Sequence, residues 1–465
     1  MTVLEGAGPT ARRAPAARAG SAAVSRPNLV LILTDDQTRD SLAFMPQTRR
    51  LLQVPGTTFT NAFVSYPLCC PSRATLLTGQ YAHNHGVRGN RPPGGGYTAL
   101  DHQNTLPVWL QAAGYYTAHL GKYLNGYGEI APPLVPPGWS RWFGLVDPST
   151  YSLYDYTVSD DGTLVHHGRA AADYQTDVLA VAAEQVIRER AGRGPSFLIV
   201  APVAPHLERS DVGGKGTPPR PAPRHAGRFA DEPLPPTPAF DEADVRDKPD
   251  AVRRLPRISP RARAGILRTY RAQLAALLAV DDLVARLVGA LAETGELDRT
   301  VIVFTSDNGF FHGEHRLRDG KFLPYEEAVR VPLLVRGGGF PAGAAATQLV
   351  ANVDLAPTLL ALAGVAPGRE LDGVPLLPLA LDPALERGRA LLLEGLEGNR
   401  DTYTAVRSER WLWVEYDNGS RELYDLEHDP FELESLHAVA RWGAVREELA
   451  GRLATLRSCA GESCR

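Results

Sequence analysis

Three short runs of unbroken apolar residues, each stopping abruptly at polar ones, limit how this chain can fold. Asn28 to Thr34 reads N-L-V-L-I-L-T and stops at Asp35-Asp36. Ser196 to Ala201 reads S-F-L-I-V-A and runs into Pro205-His206, and Thr300 to Thr305 reads T-V-I-V-F-T and runs into Ser306-Asp307-Asn308. A strand apolar on both faces must be covered on both faces, which suits a parallel sheet between helices. Between the runs, Thr176 to Arg190 and Ala264 to Thr294 carry apolar residues at spacings of three and four and predict helices. Open α/β sheets place their sites beyond the carboxyl ends of the strands. The three runs therefore deliver carboxylate, amide and imidazole groups to one end of one α/β sheet.

The rest of the chain divides by composition. Charged residues make up 22% and hydrophobic ones 44%, as in a globular chain, and 465 residues allow a large domain with a smaller companion. The net charge of -4 provides no basic field for nucleic acid. No apolar run reaches the roughly 20 residues of a membrane span. Residues 1–26, rich in Ala, Gly and Arg, lack the apolar core of a secretory signal and read as a disordered lead-in. A removed signal or a mis-assigned start would leave the same pattern. Residues 27–365 form the expected catalytic domain. Within it, the Pro/Arg-rich stretch 213–262 is too long for an ordinary connection and is expected to cover a cleft, with a disordered linker as the alternative. Residues 366–465 are expected to form a small α+β domain. Its strands fall at Tyr403 to Val406, Trp411 to Tyr416 and Glu422 to Tyr424, around the turn Asp417-Asn418-Gly419, and a helix follows from Trp442 to Leu456. Asp281-Asp282, inside the long helix, point about 100° apart and read as a solvated face or local hydrogen bonding.

Four cysteines form two pairs. Cys459 and Cys464 are close enough to bridge, which would point to an oxidising compartment and export; two exposed thiols on a frayed tail are the alternative. Cys69 and Cys70 are adjacent and open a longer motif. Cys69 to Gly79 reads C-C-P-S-R-A-T-L-L-T-G, of the form C-x-P-S-R-x-x-x-L-T-G.

That stretch resembles the signature of the sulfatase family. The resemblance spans about residues 26 to 436 and takes in P-N-L-V-L-I-L-T-D-D-Q at Pro27 to Gln37, G-K-Y-L-N at Gly121 to Asn125 and A-P-H at Ala204 to His206. It continues through S-D-N-G-F-F at Ser306 to Phe311, G-E-H at Gly313 to His315, R-V-P at Arg330 to Pro332 and E-L-Y-D-L-E-H-D-P at Glu422 to Pro430. It implies the alkaline phosphatase-like fold, a large, mostly parallel mixed sheet between helices with a small C-terminal domain. It also implies that Cys69 is oxidised to formylglycine by a formylglycine-generating enzyme, a transient partner, and that the hydrated aldehyde is the nucleophile. By the same resemblance, Asp35, Asp36, Asp307, Asn308 and residue 69 would bind the metal. Arg73 would hold the formylglycine hydrate, Lys122 and Lys321 would grip sulfate oxygens, and His206 would protonate the leaving group. The family's usual ion is Ca²⁺, and an all-oxygen side-chain set suits Ca²⁺ or Mg²⁺ better than zinc or copper.

One position departs from the family pattern. Many sulfatases carry a histidine two residues after the lysine, proposed to take the diol's proton; here Leu124 stands there. His315 is the candidate replacement, with His312 a weaker one. The forms G-K-Y-L-N, C-C-P-S-R, H-N-H-G at His83 to Gly86 and D-K-P at Asp247 to Pro249 resemble the branch of N-acetylglucosamine-6-sulfatases and extracellular heparan sulfatases. His83, His85, His166, His167 and Cys70 read as structural. The expected activity is hydrolysis of a sulfuric ester, with a sulfated sugar and in particular glucosamine 6-sulfate as substrate. A phosphomonoester, phosphodiester or phosphonate hydrolase on the same scaffold is the alternative, and a non-catalytic sulfated-sugar-binding protein is the second.

Overall fold

Alternation along a strand decides which layer each residue of the apolar runs enters. Leu29, Leu31, Leu33, Phe197, Ile199, Val301 and Val303 pack on one face of a sheet, with Leu76 and Leu77 of the Cys69–Thr78 helix and Leu355 and Leu359 of the Leu355–Ala363 helix. Val30, Ile32, Leu198, Val200, Ile302 and Phe304 pack on the other, against the Gln175–Arg190 and Pro260–Glu293 helices. Both faces are dry, so the runs are apolar throughout. This computed structural model describes Thr2 and residues 26–129, 134–209, 216–385, 388–397 and 400–465. Nearly all of the expected lead-in, and residues 213–215 of the expected cleft loop, lie outside the described residues.

Among the described residues the main sheet has ten strands. From edge to edge they are Ala344–Ala346, Thr57–Phe59, Leu333–Arg336, Thr300–Ser306, Asn28–Thr34, Ser196–Ala201, Tyr116–Gly121, Arg141–Leu145, Tyr156–Asp160 and Thr163–His167. The five central strands run parallel and antiparallel partners flank them. The long helix begins at Pro260, four residues before its apolar spacing does, because Ser259 Oγ accepts from the Ala262 N–H and Pro260 occupies the first turn. Among the described residues no helix is long and apolar enough to cross a membrane.

Asp281 departs from its expected role. It is buried, and its carboxylate accepts from the backbone N–H groups of Gln47 (2.9 Å) and Thr48 (2.6 Å), at the start of another helix. These are the N–H groups a helix start leaves without partners. Asp282 faces outward and pairs with Arg224 and His225. The described part of the Pro/Arg-rich stretch is tied down as well. Arg220 pairs with Glu208, Arg224 with Asp177, and Ala239 O accepts from the His315 N–H at 2.8 Å.

A four-stranded antiparallel sheet forms the C-terminal region: Leu391–Glu397, Arg400–Arg407, Trp411–Tyr416 and Arg421–Asp425. The first of these strands was not expected from the sequence. The Gly443–Leu456 helix packs Leu449, Leu453 and Leu456 into a core that also holds Phe311, Leu323 and Tyr325 of the catalytic region. Cys459 and Cys464 are joined as a disulfide and both are buried, so they are not the exposed thiols of a frayed tail.

Candidate active site

Parallel register brings the polar strand ends to one level. Thr34 pairs with Ser306, so Asp35 and Asp307 leave the sheet side by side. Asp35 also bridges to Pro205, which sets His206 beside them. Gly121 pairs with Ala201, and Lys122 follows it. Gly121 has a φ of 112°, and a Cβ there would sit 2.2 Å from the carbonyl oxygen of Ala201. Only glycine lets the chain turn Lys122 inward at that point. Asp36 holds a φ of 64°, unusual for a residue with a side chain, and this turns its carboxylate back over the strand ends. Cys69 arrives from the other direction, as the first residue of the buried Cys69–Thr78 helix, which Gly79 ends in a left-handed cap.

The cluster is dense. Cys69 Sγ lies 3.6 Å from Oδ1 of Asp35 and 3.5 Å from Nζ of Lys321. Lys122 grips Oδ2 of Asp35, and Lys321 grips Oδ1 of Asp36. Arg73 donates from Nε to Asp307 at 2.8 Å and from a terminal nitrogen to the Lys122 carbonyl at 2.6 Å, and its other terminal nitrogen is 3.4 Å from Asp35. His206 Nε2 is 3.5 Å from Asp36. Three carboxylates thus meet three permanent cations, all nearly closed to solvent. Burial raises the Asp35 carboxyl, but the attraction of Lys122, then His206, Arg73 and Lys321, outweighs it and holds the group well below the usual carboxylate range. Asp307 moves up, by burial first and then by the charge of Asp35. Burial, reinforced by Asp35, pushes the Cys69 thiol up to about 11, so an unconverted cysteine here is a poor nucleophile at neutral pH.

The cluster suits a divalent ion. Asp35, Asp36, Cys69 and His206 each turn one donor atom to within 4.8 Å of the others. Asn308 donates from Nδ2 to Asp36 at 2.6 Å, while its Oδ1 is buried with no hydrogen-bond partner. A buried amide oxygen without a donor needs a ligand, and a hard cation is one.

The structure therefore brings together Asp35, Asp36, Cys69, Arg73, Lys122, His206, Asp307, Asn308 and Lys321. It does not bring His315 there. That ring packs on Tyr325 (centroids 4.3 Å apart), with Nδ1 2.7 Å from Glu242. His312 bonds Gln273 at 2.6 Å, and Leu124 is a core residue. His83 bonds the Cys459 carbonyl, His85 bonds Thr75, and His166 and His167 lie at the sheet edge with Asp155 and Asp173. Cys70 accepts from the Asn125 N–H at 3.1 Å, which fixes the turn after Lys122. Sequence reasoning missed Tyr151, whose ring lies 4.6 Å from Nζ of Lys122 and packs at a tilt against His206 with centroids 4.4 Å apart. No local pattern marks it. A groove of about 400 Å³ lies between Thr38–Ser41, Glu232–Thr237, Tyr270 and Glu326–Glu327.

Acidic strand ends, a cysteine at a helix start and inward-turned lysines on a doubly covered parallel sheet define an alkaline phosphatase-like hydrolase. Sequence profiles of two families match the chain, Sulfatase over residues 27–365 and "N-sulphoglucosamine sulphohydrolase, C-terminal" over residues 313–459. The chain belongs to the sulfatase family and is an enzyme that hydrolyses sulfate esters. It is 35% identical over 506 residues to an arylsulfatase of Volvox carteri, spanning 97% of this chain and 77% of the relative. It is 34% identical over 501 residues to the N-acetylglucosamine-6-sulfatase of Homo sapiens, spanning 96% and 87%. A solved protein in complex with its substrate D-glucosamine-2-N,6-O-disulfate superposes with a TM-score of 0.79 at 26% identity, over 93% of this chain and 98% of the other.

Proposed function

We propose that this enzyme removes sulfate from a sulfated amino sugar, with the 6-O-sulfate of glucosamine as substrate and formylglycine at position 69 as the reacting group. The observation that carries the reading is the position of Cys69 Sγ, within 3.6 Å of both a strand-end carboxylate and an inward lysine. The substrate class is supported by the N-acetylglucosamine-6-sulfatase likeness over nearly the whole chain.

Each residue has a task that follows from its surroundings. Asp35, Asp36, Asp307 and Asn308 would hold a divalent cation, Ca²⁺ in preference to Mg²⁺, which would supply fixed positive charge beside residue 69. Formylglycine, as its hydrate, would supply a nucleophilic oxygen that a buried thiol does not. Arg73 is clamped by Asp307 and the Lys122 carbonyl, so it stabilises negative charge without reorganising. Burial opposes the charges of Lys122 and Lys321, but Asp35 and Asp36 outweigh it and keep both lysines protonated for sulfate oxygens. His206 Nδ1 sits 2.6 Å from the Leu207 carbonyl, which can only accept, so the ring keeps a proton there. Its Nε2 faces the cluster; burial pulls the imidazole below its ordinary value and Asp36 opposes that, so Nε2 holds a proton to pass to the leaving oxygen, as the sulfur–oxygen bond breaks, only while the ring is charged beside Asp36. The ring of Tyr151, packed against it, supports that orientation. Cys69, Pro71 and Arg73 are all buried in the folded chain, so the enzyme that converts Cys69 would have to read them before the fold closes.

The test pairs chemistry with turnover. Mass spectrometry of the tryptic peptide carrying residue 69 should show an aldehyde in place of the thiol. The converted fraction should hydrolyse N-acetylglucosamine 6-sulfate and aryl sulfates much faster than aryl phosphates or phosphonates. A faster rate on phosphate or phosphonate esters, with conversion verified, would refute the proposal.

A further inference from the structure

His315 is excluded from the Cys69 cluster, and its surroundings suggest another role. The residue is fully buried, and its Nδ1 lies 2.7 Å from a carboxylate oxygen of Glu242. A carboxylate accepts, so this contact puts the ring proton on Nδ1 and leaves a bare lone pair on Nε2. That Nε2 is buried with no hydrogen-bond partner, and so are Oε2 of Glu327 and Oε1 of Glu432. One donor atom from each of the three residues lies within 4.8 Å of the other two, and His315 Nε2 is 3.9 Å from Oε2 of Glu327. Among the described residues, no lysine or arginine forms an ion pair with Glu327 or Glu432. The nearby cations are taken: Arg330 and Arg407 hold Glu326, and Lys248 lies 3.5 Å from Glu242.

We propose that His315, Glu327 and Glu432 form a second divalent-cation site, of the mixed nitrogen and oxygen type that zinc occupies. The charges favour it. A divalent ion cancels Glu327 and Glu432, while Lys248 already answers Glu242. The second shell favours it too, because a metal-binding histidine commonly donates its other N–H to a carboxylate, as His315 does to Glu242. Three protein ligands leave room for water, as in open zinc sites. Glu327 lines the 400 Å³ groove, which offers an ion a route in.

The site would act as a clasp. His315 belongs to the loop that carries Lys321, six residues on, whereas Glu432 belongs to the C-terminal region. Glu432 already accepts from the Glu326 N–H at 3.0 Å. An ion shared by the three side chains would tie the C-terminal region to the loop that presents a sulfate-binding lysine. The inference does not depend on the substrate or on conversion of Cys69.

The experiment measures zinc. Protein stripped by chelator is dialysed against Zn²⁺ with excess Ca²⁺, which saturates the Asp35 cluster, and bound zinc is counted by mass spectrometry. The expected result is about one zinc per chain. His315→Gln and Glu432→Gln should each weaken zinc retention at least about tenfold, with unchanged circular dichroism, and Asp307→Asn should leave it intact. Wild-type protein that holds no zinc overturns the proposal. So does zinc that Asp307→Asn loses and Glu432→Gln keeps. If the variants do not fold, anomalous scattering from zinc-soaked wild-type crystals decides: a peak between the three side chains supports the site, and a peak at Asp35 alone, or none, refutes it.

Discussion

Two groups of buried acids face the same physical problem and meet it differently. Around residue 69, Asp35, Asp36 and Asp307 are answered by Arg73, Lys122 and Lys321, so the chain neutralises itself. Around His315, among the described residues, neither Glu327 nor Glu432 pairs with a lysine or arginine; Arg330 and Arg407 hold Glu326, and Lys248 lies by Glu242. Carboxylates taken out of water are costly unless paired. The first cluster carries its own cations, which under the proposed function would also meet an anionic substrate. The second leaves its charge for something outside the chain.

The largest expected effect tests whether reactivity belongs to the first cluster alone. Cys69→Ala should lower kcat/KM for a sulfate ester by more than about 10³-fold, whereas Cys70→Ala should keep most of it and lose stability through the freed Asn125 N–H. Equal losses in the two would break the assignment. Next in size is charge balance. Arg73→Met leaves two buried carboxylates short of a partner and should cost about 3–5 kcal/mol in denaturant unfolding. A cost below about 1 kcal/mol would mean that the balance is not what holds the cluster.

The opposite sign is expected in the second group. In chelator at neutral pH, Glu432→Gln replaces a buried acid that pairs with no lysine or arginine among the described residues and should leave stability unchanged or raise it by about 1 kcal/mol. A loss of several kcal/mol would show that an internal partner had been overlooked. The smallest effect is its pH dependence. Burial first, then Glu326 and Glu327, holds the Glu432 carboxyl well above its ordinary value of 4.5. Such a group destabilises the fold while ionised, and the penalty eases as pH falls through its folded value toward the unfolded one. The advantage of Glu432→Gln should therefore shrink as pH falls from the raised folded value toward 4.5. Asp35 has the reverse sign: its stabilisation is present above 3.8 and is lost as pH falls through its depressed folded value. Melting curves of the chelated proteins, carried from neutral pH to below 3.8, check both.

Legibility in the sequence followed the range of the interactions involved. The Asn28–Thr34, Ser196–Ala201 and Thr300–Ser306 strands could be read directly, because burial on both faces leaves an unbroken apolar run. The polar groups at their ends were legible for the same reason, and the stretch opening at Cys69 by its resemblance to a signature. The Leu391–Glu397 strand was missed because L-L-L-E-G-L-E carries no clean period of two and is defined by its neighbour. Asp281 was misjudged because the helix start it caps lies more than two hundred residues earlier in the chain.

The sequence by itself determined that a parallel sheet would present acids, an amide and an imidazole at one edge, since hydrophobic periodicity is a local property of consecutive residues. Which of those groups meet was a tertiary decision. His315 sits six residues from Lys321 and resembled a partner for residue 69, yet a left-handed turn with a φ of 50° and the stack on Tyr325 send it toward Glu432 instead. Spacing along the chain says how far a side chain is from its neighbours in sequence. Only packing says which way it faces, because direction is set by contacts with residues that the chain brings back from elsewhere.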